Sequence, residues 1–115
     1  MPKKSFIIVR GQFEFCHRYA DAPEEVAYLR HLHRHMFNYE VEIEVFHDDR
    51  ELEFIMVKHD IDEYLTRRYE EWDDRTSCEQ MAKCIGLWLQ SKNGFERDLT
   101  VSVFEDNENG AKVIM

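Results

Sequence analysis

The chain has 115 residues, 43% of them hydrophobic, which is enough for one domain with a modest core and too few for two. Its 24 acidic and 15 basic residues give a formal net charge of −9, so nucleic acid and anionic membranes make poor default partners. The sequence contains no apolar run near the ~20 residues of a membrane span, no signal-peptide pattern and no cysteine pairing typical of disulfide frameworks. We therefore expect a single cytoplasmic domain over residues 1–115.

The first regular pattern, residues 5–16, predicts a β-strand. Its sequence, SFIIVRGQFEFC, is rich in strand-forming residues. Alternation places a set of hydrophobic side chains on one face: Ile7, Val9, Phe13 and Phe15. Gly11 falls on the same face and predicts a bulge or a bend. After this strand, Pro23 and two glutamates indicate a short helical turn, because proline and acids suit the first turn of a helix.

A second strand is predicted around LHRHMFNYEVEIEV, residues 32–45. In an extended chain His33 and His35 point to the same face, so both imidazoles can bind one cation, as in many zinc sites. Two exposed surface histidines are the alternative. Residues 36–46 alternate between hydrophobic and acidic side chains, which is typical of an antiparallel strand with one wet face. We count the apolar run LEFIMV, residues 52–57, with this strand.

From Asp60 the pattern changes to that of a helix. Asp60 and Glu63 form a capping-box pattern that predicts the helix start. Hydrophobic residues then recur at helical spacing: Ile61, Tyr64, Leu65, Tyr69 and Trp72. A second helix is predicted to begin after the cap residue Ser77 and to end at Asn93, which a glycine follows.

Two further strands complete the chain, at residues 98–106 and 111–115, joined by a turn at NENG. The resulting order is strand, strand, helix, helix, strand, strand. It predicts an α+β fold in which a helical pair covers one face of a four-stranded antiparallel sheet. The other face also carries aromatic residues, so we expect copies of the chain to cover it.

Four short motifs give the chain a resemblance to a known family. FEFCH ends the first strand, LHRH opens the second, TSCE opens the second helix and VFED ends the third strand. Together and in this order they resemble the 6-pyruvoyl-tetrahydropterin synthase family, which includes the bacterial 6-carboxytetrahydropterin synthases of queuosine biosynthesis. The resemblance implies the tunnelling fold, assembled as a homohexamer of two stacked trimers.

The resemblance also implies a catalytic zinc site made of three histidines. The family takes one ligand from the end of the first strand and two from a His-Gly-His motif. The matching positions are His17, His33 and His35. Three imidazoles with an open fourth position are typical of catalytic zinc. The implied reaction is a lyase step on 7,8-dihydroneopterin triphosphate that releases triphosphate.

The pterin ring would be held by a carboxylate and by the start of the second helix. Glu105 matches the family's ring anchor, and a carboxylate can accept two N–H bonds from a pterin together. Ser77, Cys78 and Glu79 match the helix-start segment that holds the ring. The alternatives are that Glu105 is a strand-end acid and Ser77 a helix cap, although Ser77 can serve in both roles.

The chain departs from the family where protons are transferred. Leu29 stands at the position of the family cysteine, and a leucine side chain transfers no proton. The segment between the helices lacks the family's Asp-His pair. His31 and His59 are candidate substitutes for these residues, and Cys16 should point away from the metal by strand alternation. Two other hypotheses therefore stay open beside an altered zinc-dependent lyase: a catalytically inactive pterin- or purine-binding oligomer, and a structural zinc protein without a ligand.

Overall fold

The computed structural model describes residues 3–68 and 72–115, and in this part of the chain the protein is an α+β fold. Its strands and helices follow in the order β1 Ser5–His17, β2 His33–Val45, α1 Phe54–Arg68, α2 Cys78–Asn93, β3 Leu99–Glu105 and β4 Gly110–Ile114. The predicted order of elements is confirmed. Tyr69, which the sequence pattern assigns to the first helix, lies outside the described residues. Among the described helices, none has the length and apolarity that a membrane crossing requires.

The four strands form one antiparallel sheet in the order β1-β2-β3-β4. His17 at the end of β1 lies opposite His33 at the start of β2. Phe37, farther along β2, lies opposite Glu105 at the end of β3. Because side chains two apart share a face, the two histidines and Glu105 point to the same side of the sheet. The register therefore gathers the strand ends of three neighbouring strands at one corner.

The hydrophobic core lies between this face and the helices. From α2 it takes Met81, Ala82, Ile85 and Leu89, and from the sheet it takes Val41, Val101 and Val103, all nearly inaccessible to solvent. Near the histidines the core is aromatic. Phe13 stacks on Phe37 with ring centroids 5.4 Å apart, and the Phe37 ring stands edge-on to His17 at 5.2 Å. These ring contacts restrict the orientation of the neighbouring histidine side chains.

The segment LEFIMV does not extend the second strand, as the sequence pattern predicted; most of it belongs to α1, which begins at Phe54. The backbone carbonyl of Glu53 accepts the first helical bond from the N–H of Val57 at 3.0 Å. The Glu53 carboxylate accepts the otherwise unpaired N–H of Ile55 at 2.9 Å, as an N-cap side chain does. Local capping therefore converts an apolar run that resembles a strand into the first turn of a helix.

The predicted cap at Asp60 is consequently wrong, because Asp60 lies inside α1. Its carboxylate pairs with Lys92 on α2, with an N···O distance of 3.1 Å. Val57 and Ile61, four residues apart, are both buried and form part of the helix face that packs on the core. The pairing of Asp60 with Lys92 joins the exposed edges of the two helices.

Gly11 marks neither a bulge nor a bend, because the register between β1 and β2 runs through it without interruption, with Gly11 opposite Tyr39. The buried Tyr39 ring occupies the space that a Cβ at position 11 would need. The Tyr39 hydroxyl donates a hydrogen bond of 2.7 Å to Asp62 on α1. Burial, together with this bond, raises the pKa of Tyr39 above its usual value. The glycine therefore makes room for a ring that connects the sheet to α1.

Two loop features near the histidines match their predictions. A short 3₁₀ helix spans Glu24–Arg30 directly after Pro23. Ser77 caps α2 through a reciprocal capping box, in which its hydroxyl accepts from the Gln80 N–H and the Gln80 side chain accepts from the Ser77 N–H. Both segments approach the corner of the sheet where the histidines lie.

Candidate metal centre

His17, His33 and His35 converge at the corner of the sheet. One ring nitrogen of each lies within 4.8 Å of those of the other two. The ring centroids are separated by 4.7 Å, 4.8 Å and 5.6 Å. In the described parts of the chain, no other group of histidine, cysteine or acidic side chains is arranged in this way. The strand register produces the cluster, because His17 faces His33 and His35 lies two residues farther along the same face.

Each of the three imidazoles is held through its Nδ1 atom. The three contacts are His17 with the carbonyl of Thr76 at 3.0 Å, His33 with the carbonyl of His31 at 2.8 Å, and His35 with the carboxylate of Asp106 at 2.6 Å. All three partners are acceptors, so Nδ1 carries the hydrogen and the lone pair of the neutral ring is on Nε2. Metal-binding histidines are usually oriented by outer partners of these kinds.

The surroundings of the Nε2 atom of His17 indicate whether a metal ion fits this arrangement. It is buried and has no hydrogen-bond partner. An oxygen of Glu105 lies 3.1 Å away, so a nitrogen lone pair and a carboxylate oxygen face each other. Two electron-rich atoms at this distance repel unless a proton or a cation lies between them. The residues therefore fit a metal ion, and an all-imidazole cluster suits zinc and other late transition metals.

A cavity of about 630 Å³ opens beside the cluster and is lined by His17 and His33. Its volume is within the usual range of small-molecule sites. The four side chains that the resemblance assigned to substrate binding all line this cavity: Ser77, Cys78, Glu79 and Glu105. Residues far apart in the sequence are thus brought to the same cavity as two of the three histidines.

The cavity wall contains no activated thiol among the described residues. Leu29 lines the cavity, so the position of the family cysteine does face the site but carries an inert side chain. Cys78 also lines it. Burial, reinforced by the nearby carboxylates of Glu105 and Glu79, raises the pKa of Cys78 to about 12. This thiol stays protonated at neutral pH and is a poor nucleophile.

The candidate substitutes for the missing catalytic residues lie outside the cavity. His31 contributes its backbone carbonyl to the orientation of His33, but its side chain is exposed and does not line the cavity. His59 is exposed on α1 and does not line the cavity either. Cys16 is exposed and pairs with Arg34, on the sheet face away from the histidines, as strand alternation predicts.

Sequence reasoning missed Asp106, which orients His35 and also accepts the N–H of Met36 at 3.1 Å. The hydrogen bond from His35, together with the one from the Met36 backbone, holds the pKa of Asp106 below its usual range. The available signal was a second acid directly after Glu105, at a strand end that the antiparallel register places beside the histidines. Two arginines of the cavity wall, Arg18 and Arg75, were also missed because both lie in loops without a periodic pattern.

Comparison with known proteins assigns no family: no protein-family model matches the sequence, and no curated protein matches it. The resemblance to pterin synthases therefore rests on four short motifs and their order. The structure adds that residues of all four motifs lie together at one corner of the sheet.

Proposed function

We propose that the protein is a zinc-dependent enzyme of the pterin synthase type, with the tunnelling fold, that acts on 7,8-dihydroneopterin triphosphate. The observation that carries the proposal is a convergence at one corner of the sheet. Three oriented imidazoles adjoin a cavity of about 630 Å³, and the four side chains expected to bind a pterin line the same cavity. The chemistry of the residues supports the metal centre and the binding cavity, whereas the identity of the substrate comes from the resemblance.

The three histidines would hold the zinc ion through Nε2, since each Nδ1 is engaged by an acceptor. Bound zinc supplies Lewis-acid polarisation to the substrate hydroxyl groups. The Phe37 ring packs edge-on against His17 and His35 and helps to keep the two imidazoles in place. These residues would therefore bind and orient a hydroxylated side chain of the substrate.

The remaining walls of the cavity suit the other parts of the proposed substrate. Glu105 would hold the pterin ring, since a carboxylate can accept two N–H bonds from it together. Ser77, Cys78 and Glu79 form the wall at the start of α2. Arg75 lines the same cavity and offers positive charge to a phosphate chain, despite the negative charge of the protein as a whole; Arg18 also lines it but pairs with Asp74 at 3.3 Å.

A second candidate is a pterin- or purine-binding oligomer without catalysis. It is favoured by the inert side chain of Leu29, by the protonated thiol of Cys78 and by the positions of the substitute histidines outside the cavity. Both candidates use the same metal and the same cavity. They differ in whether any group at the site moves a proton.

Incubating the zinc-loaded protein with 7,8-dihydroneopterin triphosphate distinguishes the candidates. We expect triphosphate release and a change in side-chain mass, detected by mass spectrometry and by pterin fluorescence. Tight binding without turnover would instead support the second candidate. Failure to bind any pterin would contradict both. His33→Ala serves as the variant without the metal, since its chain should fold but lose zinc.

The role of Glu105 in ring binding has its own test. Glu105→Gln keeps the size of the side chain but places a donor where the ring N–H groups require an acceptor. We expect pterin affinity to fall several-fold or more, measured by titration with neopterin or sepiapterin fluorescence. Equal affinity in the wild-type and variant proteins would remove Glu105 from the ring site.

A further inference from the structure

The Glu105 carboxylate is in direct reach of the metal-binding nitrogen atoms. One of its oxygens lies 3.1 Å from Nε2 of His17, and the other lies 3.5 Å from Nε2 of His35. The residue is fixed at the end of β3, opposite Phe37, and its backbone N–H donates to the carbonyl of Asn109 at 2.8 Å. Its carboxylate is therefore placed beside the cluster by the sheet itself.

These distances are those between two ligands of one metal ion. Ligands bonded to zinc at about 2.0–2.1 Å in tetrahedral geometry lie roughly 3.3–3.4 Å from one another. The separations of 3.1 Å, measured to one carboxylate oxygen, and 3.5 Å, measured to the other, lie on either side of this value, so the carboxylate group as a whole is at ligand spacing from both imidazoles.

The hydrogen bonds of the two rings leave their Nε2 atoms facing the carboxylate. The Nδ1 atoms of His17 and His35 contact the Thr76 carbonyl and the Asp106 carboxylate, so the Nε2 lone pairs are directed towards Glu105. One divalent cation satisfies both lone pairs and the carboxylate together.

We propose that Glu105 is the fourth metal ligand in the substrate-free protein and completes a site of three imidazoles and one carboxylate. The inference rests on the metal of the proposed function but requires neither a pterin nor turnover. The metal centre is then closed at rest, and an incoming ligand must displace the carboxylate. Once displaced, the Glu105 carboxylate remains at the cavity wall and is free to accept hydrogen bonds from the ligand.

Zinc affinity of substrate-free variants tests the proposal. We expect Glu105→Gln to bind zinc at least about tenfold more weakly than the wild-type protein in competition with a chromophoric chelator, because a neutral amide is a poor zinc ligand. Glu108→Gln is the matched control, since it removes an exposed carboxylate three residues away that does not line the cavity, and it should leave the affinity within about twofold. Circular dichroism checks that both variants are folded. An unchanged affinity in Glu105→Gln overturns the proposal.

A crystal structure of the zinc-loaded, substrate-free protein decides the ligand directly. A Glu105 oxygen about 2.0–2.2 Å from zinc is the expected result. A water molecule in the fourth position, with Glu105 at hydrogen-bond distance or farther, overturns the inference and leaves the three-histidine site intact. If His33→Ala binds zinc as tightly as the wild-type protein, it is the metal centre of the proposed function that fails.

Discussion

Asp106 differs from the other two partners of the imidazoles because it is a side chain, whereas His17 and His33 are held by backbone carbonyls. A side chain can be replaced without moving the backbone. The Asp106 carboxylate orients the His35 ring from outside the metal site, and partners of this kind usually strengthen metal binding. Its contribution to metal binding is therefore open to a direct test.

We predict that Asp106→Asn weakens zinc binding by about 10–100-fold while the protein remains folded. The amide is isosteric but neutral, so His35 keeps its position while its outer partner loses its charge. Glu108→Gln in the same turn is the matched control, because Glu108 is exposed and should not alter zinc affinity. Competition with a zinc chelator measures both variants. Equal affinities would show that Asp106 does not support the metal.

The three histidines could be predicted from the sequence, but their partners could not. Strand alternation relates His33 to His35 within one short segment. The contact between His17 and the carbonyl of Thr76 joins residues 59 positions apart. It depends on how the loop before α2 docks against β1, and no local pattern encodes that docking. The same reason explains why Asp106 was missed.

A second prediction concerns Glu51, whose carboxylate accepts hydrogen bonds from Arg97 at 3.0 Å and from the Phe46 N–H at 2.8 Å. The Arg97 bond, followed by the backbone bond, lowers the pKa of Glu51 below its usual 4.5. A lowered pKa in the folded state adds stability at higher pH. That contribution is lost as the pH falls through the lowered value.

We therefore expect Glu51→Gln to reduce the free energy of unfolding near pH 7, with a smaller difference from the wild-type protein near pH 3. Urea unfolding at the two pH values measures this change. Glu63→Gln is the control, because Glu63 pairs with Arg67 on the exposed surface of α1 and should have little effect. An equal loss of stability for Glu51→Gln at both pH values would contradict the assigned role of the pair.

At the scale of the elements, α2 and the strands were easier to predict than α1. Ser77 and the glycine after Asn93 bound α2 with clear local signals, and the structure confirms both ends. The apolar run at the start of α1 is compatible with a strand or a buried helix, since six residues do not reveal the period. In the structure the Glu53 side chain caps the first turn, and the segment is a helix. Asp60 and Glu63 misled because capping-box residues also occur inside helices.

Gly11 and Gly86 have different surroundings, so replacing each with alanine should affect the stability of the protein differently. In Gly11→Ala the new methyl group would collide with the Tyr39 ring, which is buried and held by Asp62. We expect a loss of about 1–3 kcal/mol in the free energy of unfolding. In Gly86→Ala, on α2, the methyl group would meet the flexible end of the Met115 side chain, and alanine favours the helix.

Chemical denaturation of both variants tests this contrast. Gly86→Ala should be as stable as the wild-type protein or slightly more stable, and Gly11→Ala should be clearly less stable. If Gly11→Ala is as stable as Gly86→Ala, the Tyr39 ring can move aside. It would then not be a rigid connection between the sheet and α1.

At the scale of the whole molecule, no described helix covers one face of the sheet, and no described strand pairs with the outer edges of β1 and β4. The radius of gyration is 15.5 Å, against about 13 Å for a compact chain of this length. Phe6 and Ile8 on β1 and Ile114 on β4 expose large apolar side chains on the two edge strands. Unpaired edge strands that expose apolar side chains favour association with other chains.

We therefore predict a homo-oligomer, with the homohexamer implied by the resemblance as the expected state. Light scattering at micromolar concentration should then give a mass of about 84 kDa, six times the 14.0 kDa of one chain. Ile8→Glu should dissociate the assembly, whereas Glu63→Gln on the exposed surface of α1 should not. A monomer in the wild-type protein would contradict the prediction.

The zinc content of purified variants tests whether His17, His33 and His35 bind one zinc ion through Nε2. We predict one zinc per chain in the wild-type protein and none in His33→Ala. His31→Ala is the matched control, because it removes a neighbouring imidazole but keeps the backbone carbonyl that orients His33. It should retain full zinc content. Full zinc in His33→Ala, or loss of zinc in His31→Ala, would contradict the assignment.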